Sequence, residues 1–334
     1  MTPQCCISYT TDTGYLFPTF VSALLARRHA PADVADVAIF SINGVAELDR
    51  LFRRASESEG ILFISVPERA IEGASAMLAR LFLDRIAPPD YGHLLYIDGD
   101  TQITGSLAPL LATEVPAGQF CAVSDPMTFS LNGPSRHDRE LVRHFASLGF
   151  DGAQQRNYFN SGVLRINREG WDEIGQASWK LFQKLRVAAR YPDQDALNLV
   201  AMDRRIPISL TWNFPIFLRN ARLQSTIEPR IVHYMGSPKP WHGAFQPWGP
   251  VAYRVYLEAV ARYPELAPFL TRMPWRRRLR YRVQQYYKRL HENSVWGHGP
   301  RHREILNYEK SLRNVACAEA VAAEVGVSNP LRLA

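Results

Sequence analysis

Two aspartates separated by one glycine follow a short apolar run at residues 93–100, H-L-L-Y-I-D-G-D. Residues two apart on an extended chain project to the same side, so Asp98 and Asp100 can present two carboxylates together. Carboxylate oxygens are preferred ligands of divalent cations. The pattern therefore suggests a cation site for chemistry on a phosphate ester, although a bare pair of aspartates at a strand end is also common on protein surfaces.

Four further polar groups accompany the two aspartates, and each is weak evidence on its own. They are Tyr9-x-Thr11-Asp12-x-x-Tyr15, Asn160-Ser161-Gly162, Asp193-Gln194-Asp195 and H-Y-M-G-S-P-K-P-W at 233–241. A site that releases a diphosphate from a nucleotide-sugar must neutralise charge that develops on phosphate oxygens. A divalent cation does this as a Lewis acid, and a histidine as third ligand favours manganese over magnesium.

In this order the groups closely resemble those of the family 8 retaining glycosyltransferases, which include glycogenin and bacterial lipopolysaccharide α-glycosyltransferases. The matches are spread over about residues 4–248. The resemblance implies an α/β fold of the GT-A type. It also implies transfer of a hexose, galactose or glucose, from a UDP-sugar to a saccharide or glycolipid acceptor such as a lipopolysaccharide core. The implied cofactor is Mn²⁺, with Mg²⁺ as the alternative.

The resemblance also implies roles for single residues. Asp98, Asp100 and His233 are the implied metal ligands. Implied donor contacts are Tyr9, Thr11, Asp12, Tyr15, Arg80, Asp98, Gly99, Asp100, Asp125, Asn160, Ser161, Gly236 and Lys239. Gln194 matches the residue beside the anomeric carbon, and Asp193 is the other catalytic candidate. Retention normally invites a carboxylate nucleophile. Because the matched residue is an amide, we expect front-face attack within an ion pair, with Gln194 stabilising charge.

Simpler structural roles are open for several of these residues. Arg80 could form a surface salt bridge, Asp125 a turn before its proline, and Lys239 a solvated loop charge. Asp193 could be a helix N-cap after Pro192, and a cap residue is also well placed to contact substrate. Asp12 stands where glycogenin-type members of the family have asparagine.

Strand-like and helix-like segments alternate along the first two thirds of the chain. Strands are predicted at 4–9, 34–42, 60–66, 93–97, 120–124 and 159–166, and helices at 17–28, 73–86, 171–190 and 193–201. This alternation implies a Rossmann-like, mostly parallel sheet with helices on both faces, in which ligands bind at the carboxyl ends of strands. We therefore predict a catalytic domain at 1–250, with a loop at 131–139 and irregular structure at 214–248, followed by a helical C-terminal region at 251–334.

The formal net charge of +7 is concentrated in the C-terminal region. Residues 273–291 contain seven basic residues and no acidic one, and the rest of the chain has 32 basic and 32 acidic residues. A generally basic nucleic-acid-binding protein is therefore not expected. Five apolar residues of this segment are spaced to share one helix face: Trp275, Leu279, Val283, Tyr286 and Leu290. A basic helix with such a stripe is typical of an anionic membrane surface. Packing of the stripe on the catalytic domain is the alternative.

The sequence also bears on localisation. The longest uncharged apolar segment near the N-terminus, 16–26, is too short to span a bilayer, and no basic residue precedes it as in a secretory signal. The four cysteines match no zinc spacing and no disulfide framework. We therefore expect a cytoplasmic protein, attached peripherally to the inner face of the cell membrane, with reduced cysteines.

Two other functions could use the same residues. A metal-dependent nucleotidyltransferase could bind through Asp98 and Asp100, but it would not need the 233–241 loop and would release pyrophosphate instead of UDP. A non-catalytic UDP-sugar-binding protein would bind UDP with manganese and would neither transfer nor hydrolyse the sugar. Product analysis distinguishes the three functions.

Overall fold

The computed structural model of the protein describes residues 4–185, 191–271 and 273–325, with side chains up to residue 314. Ten strands are present: β1 Cys5–Thr11, β2 Ala35–Ile42, β3 Ile61–Val66, β4 His93–Ile97, β5 Thr101–Ile103, β6 Phe120–Ser124, β7 Phe159–Asn167, β8 Arg205–Ile208, β9 Phe214–Pro215 and β10 Ile231–His233. The α-helices are α1 Leu16–His29, α2 Ala46–Glu57, α3 Leu83–Ile86, α4 Ala108–Leu111, α5 Arg136–Ser147, α6 Gly152–Asn157, α7 Trp171–Leu185, α8 Pro192–Ala201, α9 Gln224–Ile227, α10 Gly249–Arg262, α11 Trp275–Trp296 and α12 Gly299–Val325.

Seven of the strands form one central sheet in the order β3-β2-β1-β4-β7-β6-β8. The pairs among β3, β2, β1 and β4 are parallel, and β7 runs antiparallel between β4 and β6. Helices α1, α2 and α10 pack on one face, and α7, α8 and a 3₁₀ helix at Ala76–Phe82 pack on the other. The predicted mostly parallel α/β sheet is confirmed.

Strand β1 illustrates why the sheet has two apolar faces. Side chains alternate along a strand, so Ile7 and Tyr9 join the cluster beneath α1 while Cys6 joins the cluster on the opposite face. Both faces are covered, and the strand is therefore an almost continuous apolar run. Its carboxyl end emerges at the same edge of the sheet as that of β4, where Asp98 follows.

A second, three-stranded sheet in the order β5-β10-β9 brings a distant segment to that edge. Strand β5 begins directly after Asp100, and β10 pairs with it antiparallel so that His233 lies opposite Thr101. The backbone N–H of Tyr234 donates to the carbonyl of Asp100 at 3.0 Å. This pairing determines the position of His233, although it lies far from the aspartates in sequence.

The structure differs from the sequence predictions at residues 73–86 and 131–139. Residues 76–86 form the 3₁₀ helix and the short α3 instead of one helix from 73, because Gly73 has a left-handed φ of 75° and Ser75 is extended. The predicted loop 131–139 ends early, because Ser135 and Asp138 form a capping box that starts α5 at Arg136. The end of the predicted helix 171–190 lies outside the described residues, which stop at 185 in this segment.

The interpretation of Asp193 as an N-cap is wrong. Helix α8 begins at Pro192, and Tyr191 is its N-cap. Proline is favoured at the first helical position because it has no N–H to satisfy. The N–H of Tyr191 instead donates to the carboxylate of Asp195 at 3.0 Å. Asp193 therefore lies inside the first turn with its side chain directed elsewhere.

The C-terminal helices differ in how they contact the sheet. Tyr256 of α10 is buried in the main core beside Phe17 of α1, and Ile305 of α12 is buried in a separate cluster beneath β9. Helix α11 lies mostly on the surface. None of the described helices combines the length and apolar character needed to span a membrane. The domain boundary at residue 250 stays a prediction.

We expect Gly175→Ala to destabilise the protein. A Cβ atom at Gly175 in α7 would lie 1.9 Å from the carbonyl oxygen of Leu81, so α7 and the 3₁₀ helix would have to separate. Overpacking of this kind costs about 1–3 kcal/mol, which denaturant unfolding measures. The matched control is Gly152→Ala in α6, where the nearest atom is the flexible end of Arg156 at 3.7 Å. Equal destabilisation of the two variants would contradict the described packing.

Candidate functional site

A cavity of about 420 Å³ opens at the carboxyl ends of β1 and β4. It brings together most of the site residues proposed from sequence: Thr11, Asp12, Tyr15, Arg80, Asp98, Gly99, Asp100, Asn160, Ser161, Asp193, Gln194 and His233. These residues come from six separate parts of the chain. The residues are brought together at the edge of the sheet where the strands end, as expected for an open α/β fold.

Asp98, Asp100 and His233 form a compact cluster at the floor of this cavity. Each offers one ligand atom, and the three atoms lie within 4.8 Å of one another. The Nε2 atom of His233 lies 3.1 Å from Asp100 Oδ1 and 3.9 Å from Asp98 Oδ2. Two carboxylates and one imidazole are a suitable donor set for a divalent cation of the manganese type.

The orientation of His233 is set by Asn213, which sequence analysis missed. His233 Nδ1 lies 2.9 Å from Asn213 Oδ1, so we assign the Nδ1–H as the donor. Nε2 then faces Asp98 and Asp100, where it can ligate a cation as a neutral imidazole or, when protonated, donate to Asp100. A hydrogen bond to the second ring nitrogen is the usual way in which proteins orient a histidine ligand. The residues present therefore fit a metal.

Arg80 and Tyr96 hold Asp98 in place. The guanidinium of Arg80 lies 3.0 Å from Asp98 Oδ1 and also donates to the carbonyl of Ser161 at 2.7 Å. The hydroxyl of Tyr96 donates to the same carboxylate at 2.6 Å. Arg80 is buried and stacks over the Tyr96 ring at 4.7 Å. It is therefore not a surface salt-bridge residue, and much of its hydrogen-bonding capacity is used within the protein.

Asp100 is held by cations on two sides. Lys239 Nζ lies 2.5 Å from Asp100 Oδ2 and also donates to the carbonyl of Tyr234. Burial alone would raise the pKa of Asp100, but His233 and Lys239 outweigh it and hold that pKa well below its usual range. Burial would lower the pKa of His233, but the carboxylates raise it. Asp100 is therefore ionised at neutral pH.

A chain of amide hydrogen bonds runs from the cluster of Asp98, Asp100 and His233 to Gln194. Asn213 Nδ2 donates to Asn160 Oδ1 at 2.8 Å, and Asn160 Nδ2 donates to Asp125 Oδ2 at 2.9 Å. Gln194 Nε2 donates to the same oxygen of Asp125 at 3.1 Å. Burial raises the pKa of Asp125, although these donors oppose the shift. Asp125 is thus a buried anchor and only secondarily a turn residue.

Gln194 and Asp193 differ in how firmly they are held. The Oε1 atom of Gln194 accepts from the backbone N–H of Ser161 at 3.2 Å, so both ends of its amide are fixed. Asp193 is half-buried and lines the cavity. Among the described residues, its side chain forms no hydrogen bond or ion pair. Gln194 is therefore a rigid dipole, and Asp193 is a carboxylate in the cavity with its lone pairs available.

The opposite end of the cavity is formed by the β1–α1 connection. Asp12 caps the short 3₁₀ helix Thr13–Tyr15 by accepting from the N–H of Tyr15 at 3.0 Å. Tyr15 is 40% exposed and packs edge-on against Trp241, with ring centroids 5.6 Å apart. Burial and the nearby aspartates raise the pKa of Tyr15 to about 12, so its hydroxyl is neutral.

Four of the proposed residues do not line this cavity. Tyr9 is fully buried and its hydroxyl pairs with Ser22, because the alternation of β1 directs it into the core. Asp125 and Lys239 act through the contacts above. Gly236 has a φ of 80°, a conformation that favours glycine, and lies in the loop after β10. Lining residues that sequence analysis did not select as site residues are Thr10, Thr19, Ala76, Met77, Tyr96, Gly162 and Tyr191.

Gly162 keeps the cluster open. A Cβ atom there would lie 2.6 Å from His233 Cε1 and 2.7 Å from Asp98 Oδ2. Any side chain at this position would therefore displace His233 and Asp98. The glycine of the N-S-G sequence is thus explained by the need for close approach of the β7 backbone.

A second cavity of about 370 Å³ lies on the other side of Gln194. Asn160, Tyr191 and Gln194 line both cavities. The outer wall of the second cavity comes from the C-terminal helices and includes Glu292 and Trp296. Trp296 packs against Phe217, with ring centroids 5.4 Å apart. An aromatic platform with polar neighbours suits a sugar ring.

The profile of glycosyl transferase family 8 matches residues 6–244. The chain belongs to glycosyl transferase family 8. The lipopolysaccharide glucosyltransferase WaaO of Escherichia coli K12 is 28% identical over 158 residues, 45% of this chain and 44% of the relative. The lipopolysaccharide 1,3-galactosyltransferase of Salmonella typhimurium LT2 is 26% identical over 216 residues, 60% of this chain and 59% of the relative. The chain thus spans about half the length of the curated relatives it matches.

Solved structures of family 8 enzymes and related glycosyltransferases share the fold. The galactosyltransferase LgtC, in complex with donor and acceptor sugar analogs, superposes with a TM-score of 0.58 at 24% identity. That match covers 81% of this chain and 99% of LgtC. The bifunctional glycosyltransferase WbbM gives 0.58 at 18% identity and covers 86% of this chain and 51% of WbbM. The predicted GT-A fold is confirmed.

Asn213→Ala should weaken metal binding. Without Asn213 the imidazole of His233 loses the partner that orients it, and loss of such an outer partner typically costs about 10–100-fold in metal affinity. Manganese titration followed by electron paramagnetic resonance measures this directly, without substrate. Asn220→Ala is the control, because the amide of Asn220 bonds Glu292 outside this site. Unchanged manganese affinity in Asn213→Ala would argue against His233 as a ligand.

Proposed function

We propose that this protein is a retaining hexosyltransferase that moves galactose or glucose from a UDP-sugar to a saccharide or glycolipid acceptor such as a lipopolysaccharide core. The decisive observation is that two cavities meet at Gln194, and only one of them contains the acidic cluster with His233. A transferase needs separate places for donor and acceptor that both adjoin the reacting carbon. Relatives named for glucose and for galactose transfer support a hexose.

The donor diphosphate belongs over the acidic cluster in this proposal. Asp98, Asp100 and His233 would hold Mn²⁺. The ion would act as a Lewis acid and stabilise the negative charge on the leaving UDP. Lys239 now pairs with Asp100 and could exchange that carboxylate for a phosphate oxygen. Thr11, Asp12 and Tyr15 are the proposed contacts of the nucleoside.

The fixed amide of Gln194 supports front-face attack. An amide oxygen is a weak nucleophile, but a dipole held at both ends stabilises positive charge on an adjacent anomeric carbon without reorganisation. The acceptor hydroxyl would then enter from the second cavity, on the face that the leaving diphosphate vacates. Asp193 is the alternative, since its carboxylate could form a covalent intermediate.

The test of this function is manganese-dependent turnover of UDP-sugars with product analysis. Release of UDP together with free or transferred hexose supports the proposal. Pyrophosphate would instead identify a nucleotidyltransferase, and UDP binding without turnover would identify a binding protein. We expect Asp98→Asn to lower turnover by roughly 10²–10³-fold, the scale of losing one charge-stabilising group. Asp33→Asn, an exposed aspartate elsewhere, is the matched control.

We further propose that α11 lies on an anionic membrane surface at the cytoplasmic face of the inner membrane. The apolar stripe is exposed: Trp275 by 71%, Leu279 by 54%, Val283 by 51%, Tyr286 by 61% and Leu290 by 55%. The alternative, in which this stripe packs on the catalytic domain, is therefore not supported. Arginines around the stripe supply charge complementary to anionic lipids, at about 1 kcal/mol each.

Replacing three stripe residues should release the protein from membranes. Trp275→Ser, Leu279→Ser and Tyr286→Ser together remove apolar area and leave every arginine in place. We expect at least about tenfold weaker binding to phosphatidylglycerol vesicles, measured by co-sedimentation. The control replaces three exposed apolar residues outside α11, Val34, Val45 and Leu62, with serine. Equal binding by both variants would refute the proposal.

A further inference from the structure

Three arginines from distant segments converge on a small cavity beside α11. The cavity measures about 250 Å³ and is lined by Arg219, Asn220, Arg222, Gln224, Gln246, Pro247 and Arg289. Arg219 and Arg222 follow β9, Gln246 precedes α10, and Arg289 belongs to α11. The cavity therefore lies where the C-terminal helix meets the catalytic body. It shares no lining residue with the cavities at Gln194 and adjoins the second of them through the hydrogen bond from Asn220 to Glu292.

The positive charge of this cavity is not compensated within the described parts of the chain. There, no carboxylate lies within ion-pair distance of Arg219, Arg222 or Arg289. Glu292 is the nearest acidic residue along α11, and it accepts from Asn220 at 2.6 Å instead. Since guanidinium groups stay protonated, the cavity keeps its charge at all physiological pH values.

Two polar atoms at this cavity are buried and have no hydrogen-bond partner in the part of the chain that the structure describes. They are Nε of Arg219 and Oε1 of Gln224. A buried N–H without an acceptor is costly, so native proteins rarely leave one. Rotation of the Gln224 amide would turn its NH₂ group into the same place. An anion with several acceptor oxygens would satisfy both side chains at once.

An apolar groove continues from this cavity along α11. It measures about 300 Å³, shares Gln246 and Arg289 with the cavity, and includes Phe245, Pro250 and Tyr286. Arg282 also lines it, two turns before Arg289 on the same side of α11. Tyr286 belongs to the exposed stripe. The cavity and the groove together form one continuous site, in which the cavity is positively charged and the groove is apolar.

We propose that this cavity binds the phosphate of an anionic lipid, with the start of its acyl chain in the adjoining groove. Guanidinium groups recognise phosphate through paired hydrogen bonds, and their positive charge is opposite in sign to that of a headgroup phosphate. The apolar groove favours a lipid over a free phosphate. The assignment rests on the proposed contact of α11 with a membrane, and it makes that contact a defined site instead of a diffuse attraction.

The test uses a lipid that is soluble as a monomer, so that no membrane surface is required. Calorimetric titration of the full chain with dihexanoyl phosphatidylglycerol, below its critical micelle concentration, measures the cavity alone. We expect Arg219→Gln with Arg222→Gln to weaken this binding by at least about tenfold. Arg278→Gln with Arg280→Gln removes the same charge from the exposed part of α11 and should change it by less than about twofold.

Each outcome decides the assignment. Equal loss in the two double variants would overturn it, because the attraction would then be general. If inorganic phosphate binds as tightly as the lipid, the assignment of a lipid ligand is overturned and the cavity is a simple anion site. Thermal unfolding checks that each variant is folded. If the variant with both Arg219→Gln and Arg222→Gln does not fold, the single variant Arg222→Gln, at an exposed position, is tested in its place. Failure of the membrane proposal would appear separately in the vesicle assay, and failure of the transferase proposal in UDP-sugar turnover.

Discussion

The arrangement of the whole site depends on keeping two carboxylates, Asp98 and Asp100, side by side at the floor of a cavity. Two like charges at this distance repel strongly where water is scarce, so each needs a compensating cation. Arg80 supplies it from the helical segment before β4, and His233 and Lys239 supply it from β10 and the loop after it. The three cations come from parts of the chain about 150 residues apart, so the cluster exists only when both sheets are formed.

The same constraint links the acidic cluster to the reacting carbon. His233 is oriented by Asn213, and the amides that follow end at Asp125, which also fixes Gln194. Buried polar networks of this kind are rigid when every member is satisfied. The position of the acidic cluster and the position of the Gln194 amide are therefore set by one network, and displacement of one is expected to affect the other.

The residues with charged or unusual side chains could be identified from the sequence, because metal and phosphate chemistry restricts the residue types. The supporting residues could not. Asn213 and Tyr96 are ordinary residues whose importance comes from tertiary contacts far along the chain. Tyr9 is a proposed donor contact because it opens the Tyr9–Tyr15 motif, although its place in the predicted strand directs it into the core. Asp193 is a cap candidate only if the helix begins after Pro192, whereas proline occupies the first helical position.

If the proposed membrane contact holds, the C-terminal helices would connect catalysis with the membrane through simple geometry. Helix α11 is about 33 Å long at 1.5 Å per residue. Its exposed stripe ends near Leu290, and the next turn, with Glu292 and Trp296, forms the wall of the second cavity. If the stripe lies on a bilayer, the second cavity is held within one or two helical turns of that surface. A glycolipid acceptor could then place its terminal sugar beside Gln194 while its lipid stays in the membrane, which a longer or flexible connection between stripe and cavity would not ensure.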